Sequence, residues 1–146
     1  MQAHVELSTP IRRAGFVPVT RLQRLTGRSL SGFAAVFLLF DGAVKLFPLP
    51  AVADASRQLG YQPETIFGIG VVLLTCVVIY LIPRTAPIGA LLLTAYLGGA
   101  VATHVRVGNP LFTHVLFPTY VAALLWGGLL LRNPALRVLL PFGRQR

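Results

Sequence analysis

Four apolar runs organise the chain, at residues 31–47, 63–82, 86–104 and 110–131. At about 1.5 Å per residue the fourth covers about 33 Å and the first about 26 Å, against a hydrocarbon core of about 30 Å. Each is long enough, or nearly so, to cross a bilayer as a helix. The first is expected to extend back through Leu30 or to thin the membrane slightly. Helix-start chemistry precedes every run: Ser29 or Ser31, then Pro63-Glu64, then Thr85, and finally Asn109-Pro110 as N-cap and first helical residue. Between the first two runs, residues 50–59 read as a short helix opened by Pro50 and closed by Gly60, lying on the outer surface. No internal repeat and no coiled-coil heptad is evident.

Composition agrees with this pattern. Of the 146 residues 55% are hydrophobic and 12% charged, about half the charged fraction of a soluble domain. Mean hydropathy is +0.73. The expected fold is therefore an all-α integral membrane protein, a four-transmembrane-helix bundle, with no room for a separate soluble domain. The single cysteine, Cys76, excludes an intramolecular disulfide or a dithiol relay and reads as a small buried apolar residue.

The net charge of +9 would suggest nucleic acid in a soluble protein, but here the arginines flank apolar runs, and no nucleic-acid partner is expected. Arg12, Arg13, Arg21, Arg24, Arg28, Arg84, Arg132, Arg137, Arg144 and Arg146 fall on one side of the membrane, and only Arg57 and Arg106 on the other. Positive flanks stay in the cytoplasm, so both termini are expected to be cytoplasmic. The chain divides into a basic leader (1–29), a membrane domain (30–140) and a basic tail (141–146). Asp41 and Lys45 interrupt the first run where a signal-peptide core would be purely apolar, so that span is expected to be retained. Arg21, Arg24 and Arg28 share one face of a helix and Leu22 and Leu25 another, which suits a segment lying on anionic headgroups; a disordered basic leader is the alternative.

Small residues let membrane helices approach closely. Ala95, Gly98, Gly99, Ala102 and Thr103 form such a face on the third span, and Ala123, Gly127 and Gly128 on the fourth. The two faces are expected to meet within one chain, or between chains in a homo-oligomer. Pro118, eight residues into the fourth span, withholds an amide from the carbonyl of His114. Trp126 and Tyr120 are candidate interface anchors.

A charge inside a span costs about 2.5–3.5 kcal/mol by insertion scales, so Asp41 and Lys45 require an explanation. Four residues apart, they share a helix face with the acid on the favourable N-terminal side. From Ser31, Asp41 lies about 15 Å deep and Lys45 about 21 Å. By the same topology His104 ends the third span, Arg106 begins the outer turn, and His114 lies about one turn into the fourth span. These positions predict a cavity opening to the outer face, lined by Asp41, Lys45, His104, Arg106 and His114 and partly covered by helix 50–59. Thr94, Tyr96 and Thr103 add hydroxyls. The plainer reading is a structural ion-pair network in which Lys45 or Arg106 holds Asp41. A metal or bis-histidine haem site built on His104 and His114 is the third reading, but nine residues and a turn separate them, a spacing that matches no recognised ligand motif, so no metal ligand is assigned from the sequence.

Three stretches carry a family resemblance: Asp41-Gly-Ala-Val-Lys45, the block Tyr80-Leu-Ile-Pro-Arg-Thr-Ala-Pro-Ile-Gly-Ala, and the block from Tyr96-Leu-Gly-Gly to Asn109-Pro-Leu-Phe-Thr-His114. Together they resemble the DoxX-like family of small bacterial membrane proteins, over roughly residues 30–140. The resemblance implies a four-span bundle in the bacterial cytoplasmic (inner) membrane, related to the DoxX and DoxD proteins. Some of those relatives are linked to quinone-dependent thiosulfate oxidation or to a membrane complex that handles oxidative stress. Carried onto this sequence, the motif positions are Asp41, Lys45, Thr103, His104, Arg106, Asn109 and His114.

The expected function is that of a quinone-linked redox subunit. Asp41, His104 and His114 are the candidate catalytic, proton-passing residues, and Lys45, Tyr96, Thr103, Arg106 and Asn109 the candidate ligand-binding residues. No flavin, nicotinamide or iron–sulfur motif is present, so no cofactor is built in; the redox group would be a membrane quinone and the electron source a membrane or periplasmic partner. A small-molecule or ion transporter that selects anions through Lys45 and Arg106, and a non-catalytic scaffold, are the competing readings.

Overall fold

The computed structural model describes residues 20–47 and 49–139. The leader arginines Arg12 and Arg13 and the tail at 141–146 lie outside the described residues. Six α-helices follow in order: α1 (Arg21–Val44), α2 (Pro50–Gln58), α3 (Pro63–Leu81), α4 (Ala86–Val107), α5 (Phe117–Arg132) and α6 (Pro134–Leu139). A π-helical turn, Leu111–Val115, precedes α5. Among the described residues four segments are long and apolar enough to cross a membrane: α1, α3, α4 and the combined Leu111–Arg132. Among the described residues there is no strand.

The helix starts show where local chemistry overrides the edge of the apolar run. α1 begins ten residues before Ser31, because Thr20 and Gln23 form a capping box. The Gln23 amide donates to Thr20 Oγ1 at 3.2 Å, and the Thr20 amide donates to Gln23 Oε1 at 3.2 Å. Neither Ser29 nor Ser31 is a cap: both lie inside α1, and Ser31 is buried. Arg21, Arg24 and Arg28 therefore continue the axis of the first span and do not form a separate surface helix. α2 and α3 start with proline in the first turn, and α4 ends on Gly108 in the left-handed region at φ 75°.

Pro118 is not a break within the fourth span. The backbone before it widens: the Val115 amide reaches the Pro110 carbonyl at 3.3 Å and the Leu116 amide the Leu111 carbonyl at 2.9 Å. Those i to i+5 bonds shift the register so that Pro118 falls in the first turn of α5, where a missing amide costs little.

The spans close into a ring. α1 packs on α3 and α5, and α4 packs on the same two, which leaves α1 and α4 facing each other across a diagonal. The most extensive contact is between α1 and α5. A side chain added at Gly128 would collide with Ser31 Oγ and with the backbone of Gly27 and Ser31. The expected meeting of the α4 and α5 glycine faces within one chain is thereby corrected: the two helices pack, but Gly98, Gly99 and Gly127 have open space at their Cβ positions, and Gly128 serves α1. On the α3–α4 side, Gly89 lies against the Tyr80 backbone.

Tyr80, fully buried, ties three helices. Its hydroxyl lies 2.9 Å from the Leu125 carbonyl and 2.8 Å from Ser31 Oγ. With one proton to give, it donates to the carbonyl and accepts from Ser31, which satisfies both groups away from water. The Arg132 guanidinium sits over the same ring, 5.2 Å from its centre. Leu38, Leu73, Val77, Leu93, Leu125 and Leu129 complete the most buried layer, while Phe33, Phe40, Phe67, Ile88 and Leu91 face outward, as lipid-facing positions require. Trp126 is a cross-helix link: its Nε1 donates to Thr94 Oγ1 at 2.8 Å, and that hydroxyl donates to the Ala90 carbonyl at 2.7 Å.

Candidate functional site

The tight half of the bundle is the end that carries the Arg84 turn; the other half, under α2, is hollow. A cavity of about 720 Å³ lies on the α1–α4 diagonal. Two facing helices that do not pack leave such a space, and its size is within the range of small-molecule sites, about 300–1,000 Å³. Its walls are mostly apolar, with Phe37, Leu38, Ile66, Ile69, Leu97 and Val121 among them. Phe37 and Phe117 meet edge to face there, 5.4 Å between ring centres. One face of α2, presenting Ala51, Val52, Ala55, Ser56 and Leu59, forms the roof.

Polar groups collect on two walls. On α1, Lys45 Nζ lies 2.5 Å from Asp41 Oδ1 and 3.3 Å from the Asp41 carbonyl, an i, i+4 pair that the chain's spacing announced. Facing it, Tyr96, Thr103 and His104 line the cavity from α4. Tyr61, from the link between α2 and α3, also lines it, with its hydroxyl 2.7 Å from Thr103 Oγ1. Thr103 gives its only proton to the Gly99 carbonyl at 3.0 Å, so Tyr61 is the donor in that pair. Tyr61 escaped the sequence reading because it belongs to no apolar run; its position directly after the Gly60 turn, φ 78°, was the available signal.

The other predicted residues lie elsewhere. Arg106 does not line the cavity: its guanidinium donates to the Leu59 carbonyl at 2.7 Å and lies beneath Gly60, fastening the end of α2. His114 and Asn109 line a separate space of about 230 Å³ nearby. His104 lines both spaces, with its Nδ1 2.8 Å from Asn109 Nδ2 and its ring 5.8 Å from that of His114. Thr94 contributes no hydroxyl to the cavity wall, being engaged with Trp126.

A model of the DoxX-like family matches residues 29–128. The chain belongs to the DoxX-like family. No match was found among curated proteins or solved structures. The matched stretch holds the whole polar wall of the cavity and both histidines, so this DoxX-like chain is a multi-pass membrane protein whose hollow end is built within the family region.

Chemically, the cavity offers a mostly apolar chamber with donors and acceptors on two walls. Asp41 neutralises Lys45, and Arg106 is committed to a carbonyl outside. The net character is therefore that of a site for a neutral molecule with polar edges and an apolar body, more than for an anion.

Proposed function

We propose that the cavity binds a membrane quinone and that the protein is a quinone-linked redox subunit of the bacterial inner membrane, with the α2 end facing outward. The supporting observation is the charge-balanced, largely apolar chamber of about 720 Å³ with Lys45, Asp41, Tyr96 and His104 on opposite walls. A quinone takes up two electrons and two protons on becoming hydroquinone; the electrons come from a reduced partner protein, because this chain carries no redox motif.

The chain's own residues supply position and protons. Lys45 Nζ donates a hydrogen bond towards one edge of the chamber, and the Tyr96 hydroxyl and the His104 ring stand at the α4 edge. Asp41 and His104, on opposite walls, are the groups able to hold a proton beside a bound ring. The apolar walls exclude water, which strengthens those hydrogen bonds. Against anion transport stands the pairing of Lys45 with Asp41 and of Arg106 with Leu59.

The test is native mass spectrometry with extraction of co-purifying lipid, on the wild type and on Gly99→Leu after gentle solubilisation. Gly99 lines the chamber and its Cβ position is open, so leucine narrows the space without a clash. Quinone is expected with the wild type and reduced about ten-fold or more in the variant, equivalent to about 1.4 kcal/mol of lost binding, at unchanged melting temperature. Equal quinone in both, or none with the wild type, refutes the assignment and favours a scaffold.

A further inference from the structure

The smaller space of about 230 Å³ beside the chamber has no part in the proposed function, yet two imidazoles converge on it from different elements. His104 comes from the last turn of α4 and His114 from the π-helical turn, with ring centres 5.8 Å apart and planes at 65°. Each ring already has a partner at Nδ1: the Asn109 amide at 2.8 Å for His104, the Thr113 hydroxyl at 2.8 Å for His114. Both partners can accept a proton bond as well as donate one, the hydroxyl by rotation and the amide by a half-turn that exchanges Nδ2 for Oδ1. When Nδ1 carries the proton and donates it there, Nε2 is left with a free lone pair. That is the ligating form of histidine, and a polar partner on the second ring nitrogen regularly accompanies metal-binding histidines.

From this convergence we infer that His104 and His114 form a two-imidazole site for a borderline divalent ion, zinc or copper(II), with water in the remaining positions. An ion about 2.0–2.1 Å from each Nε2 places the two ring centres about 5 to 6 Å apart, in keeping with the observed separation. No carboxylate lines this space among the described residues, which disfavours calcium or magnesium and suits an ion that prefers nitrogen. Arg106, the cationic side chain two residues from His104, is held at the Leu59 carbonyl. His114 is exposed and lies about one turn from the end of the Leu111–Arg132 segment, within reach of the membrane surface. The spacing of nine residues conceals the site in sequence because Gly108 reverses the chain and the π-helical turn then presents His114 back towards α4. The site shares His104 with the chamber of the proposed function, but His114 belongs to it alone, and the readouts below are zinc and copper and not quinone.

Isothermal titration with zinc tests it, using the full-length detergent-solubilised protein carrying His4→Ala, since His4 is the remaining histidine and lies outside the described residues. One zinc per chain is expected, with affinity reduced at least about ten-fold by His114→Ala and by His104→Gln, and less by Thr113→Val. Copper(II) electron paramagnetic resonance should show two imidazole nitrogens in the parent and one in His114→Ala. Because His114 is exposed, that variant should melt, metal-free, at the parent's temperature. Zinc affinity unchanged by either substitution, a parent that binds no zinc, or a one-nitrogen copper signal in the parent would overturn the assignment.

Discussion

Asp41 and Lys45 sit at the end of the first span, in the last turn of α1 and at its C-cap, instead of at the expected mid-membrane depth, and their geometry explains how the chain tolerates them there. The two side chains neutralise each other across one helical turn and keep partial access to the cavity, 38% and 21% exposed respectively. Discounted for that exposure, an unpaired partner should cost about 1–2 kcal/mol in place of the full insertion penalty. Asp41→Asn and Lys45→Met should therefore each destabilise the bundle by about that much, and the double variant by about 1 kcal/mol less than the sum. Unfolding in mixed micelles reads this cycle, and strictly additive losses would show that the pair is not coupled. This pair was legible in the sequence because i, i+4 spacing is a local property. Tyr61 was not, since its partnership with Thr103 spans 42 positions and depends on how the link after α2 folds back. Ser31 was misread for a related reason: a serine at the edge of an apolar run looks like a cap, and only the distant Tyr80 reveals it as a buried hydrogen-bond partner.

Among the elements, α2 is loosely held and packs mainly on α3. It has no buried residue of its own, and its end is fastened by the Arg106 bond to Leu59. Removing that bond with Arg106→Ala should speed backbone hydrogen exchange across residues 50–59 about three- to ten-fold, with little change in α3 or α4. Exchange that accelerates equally in all helices would instead mean that Arg106 supports the whole bundle. The existence of α2 and all four spans could be read from apolar runs, prolines and glycines. Their ends were less readable, because the Thr20–Gln23 capping box lies ten residues outside the first run and the π-helical turn before Pro118 has no local sequence signature. The pairing of helices was the least readable: glycines at suitable spacing on α4 proposed a partner for α5, while shape complementarity placed Gly128 against Gly27 of α1.

For the molecule as a whole, arginine distribution and fold together define two unlike ends, a tight one at the Arg84 turn and a hollow one under α2. If the positive flanks face the cytoplasm, the hollow end faces outward. In a Cys76→Ser background, a membrane-impermeant maleimide should label Gln58→Cys in intact cells and label Arg84→Cys only after the membrane is permeabilised. The opposite pattern would invert the orientation and move the chamber to the cytoplasmic side.

The closure of the ring between α1 and α5 also bears on how the protein is made. Chain order delivers α1 to the membrane first and α5 after the other spans, so the surface of Gly27 and Ser31 has no mate through most of synthesis. Tyr80 arrives with α3 and meets Ser31 early, but its second oxygen partner, the Leu125 carbonyl, comes only with α5. A nascent chain stalled before α5 thus carries a bare groove and a half-satisfied tyrosine within the lipid. Insertion of α5 and closure of the ring become one event, and a copy without α5 differs from a closed one in a feature that membrane proteases and chaperones are equipped to detect.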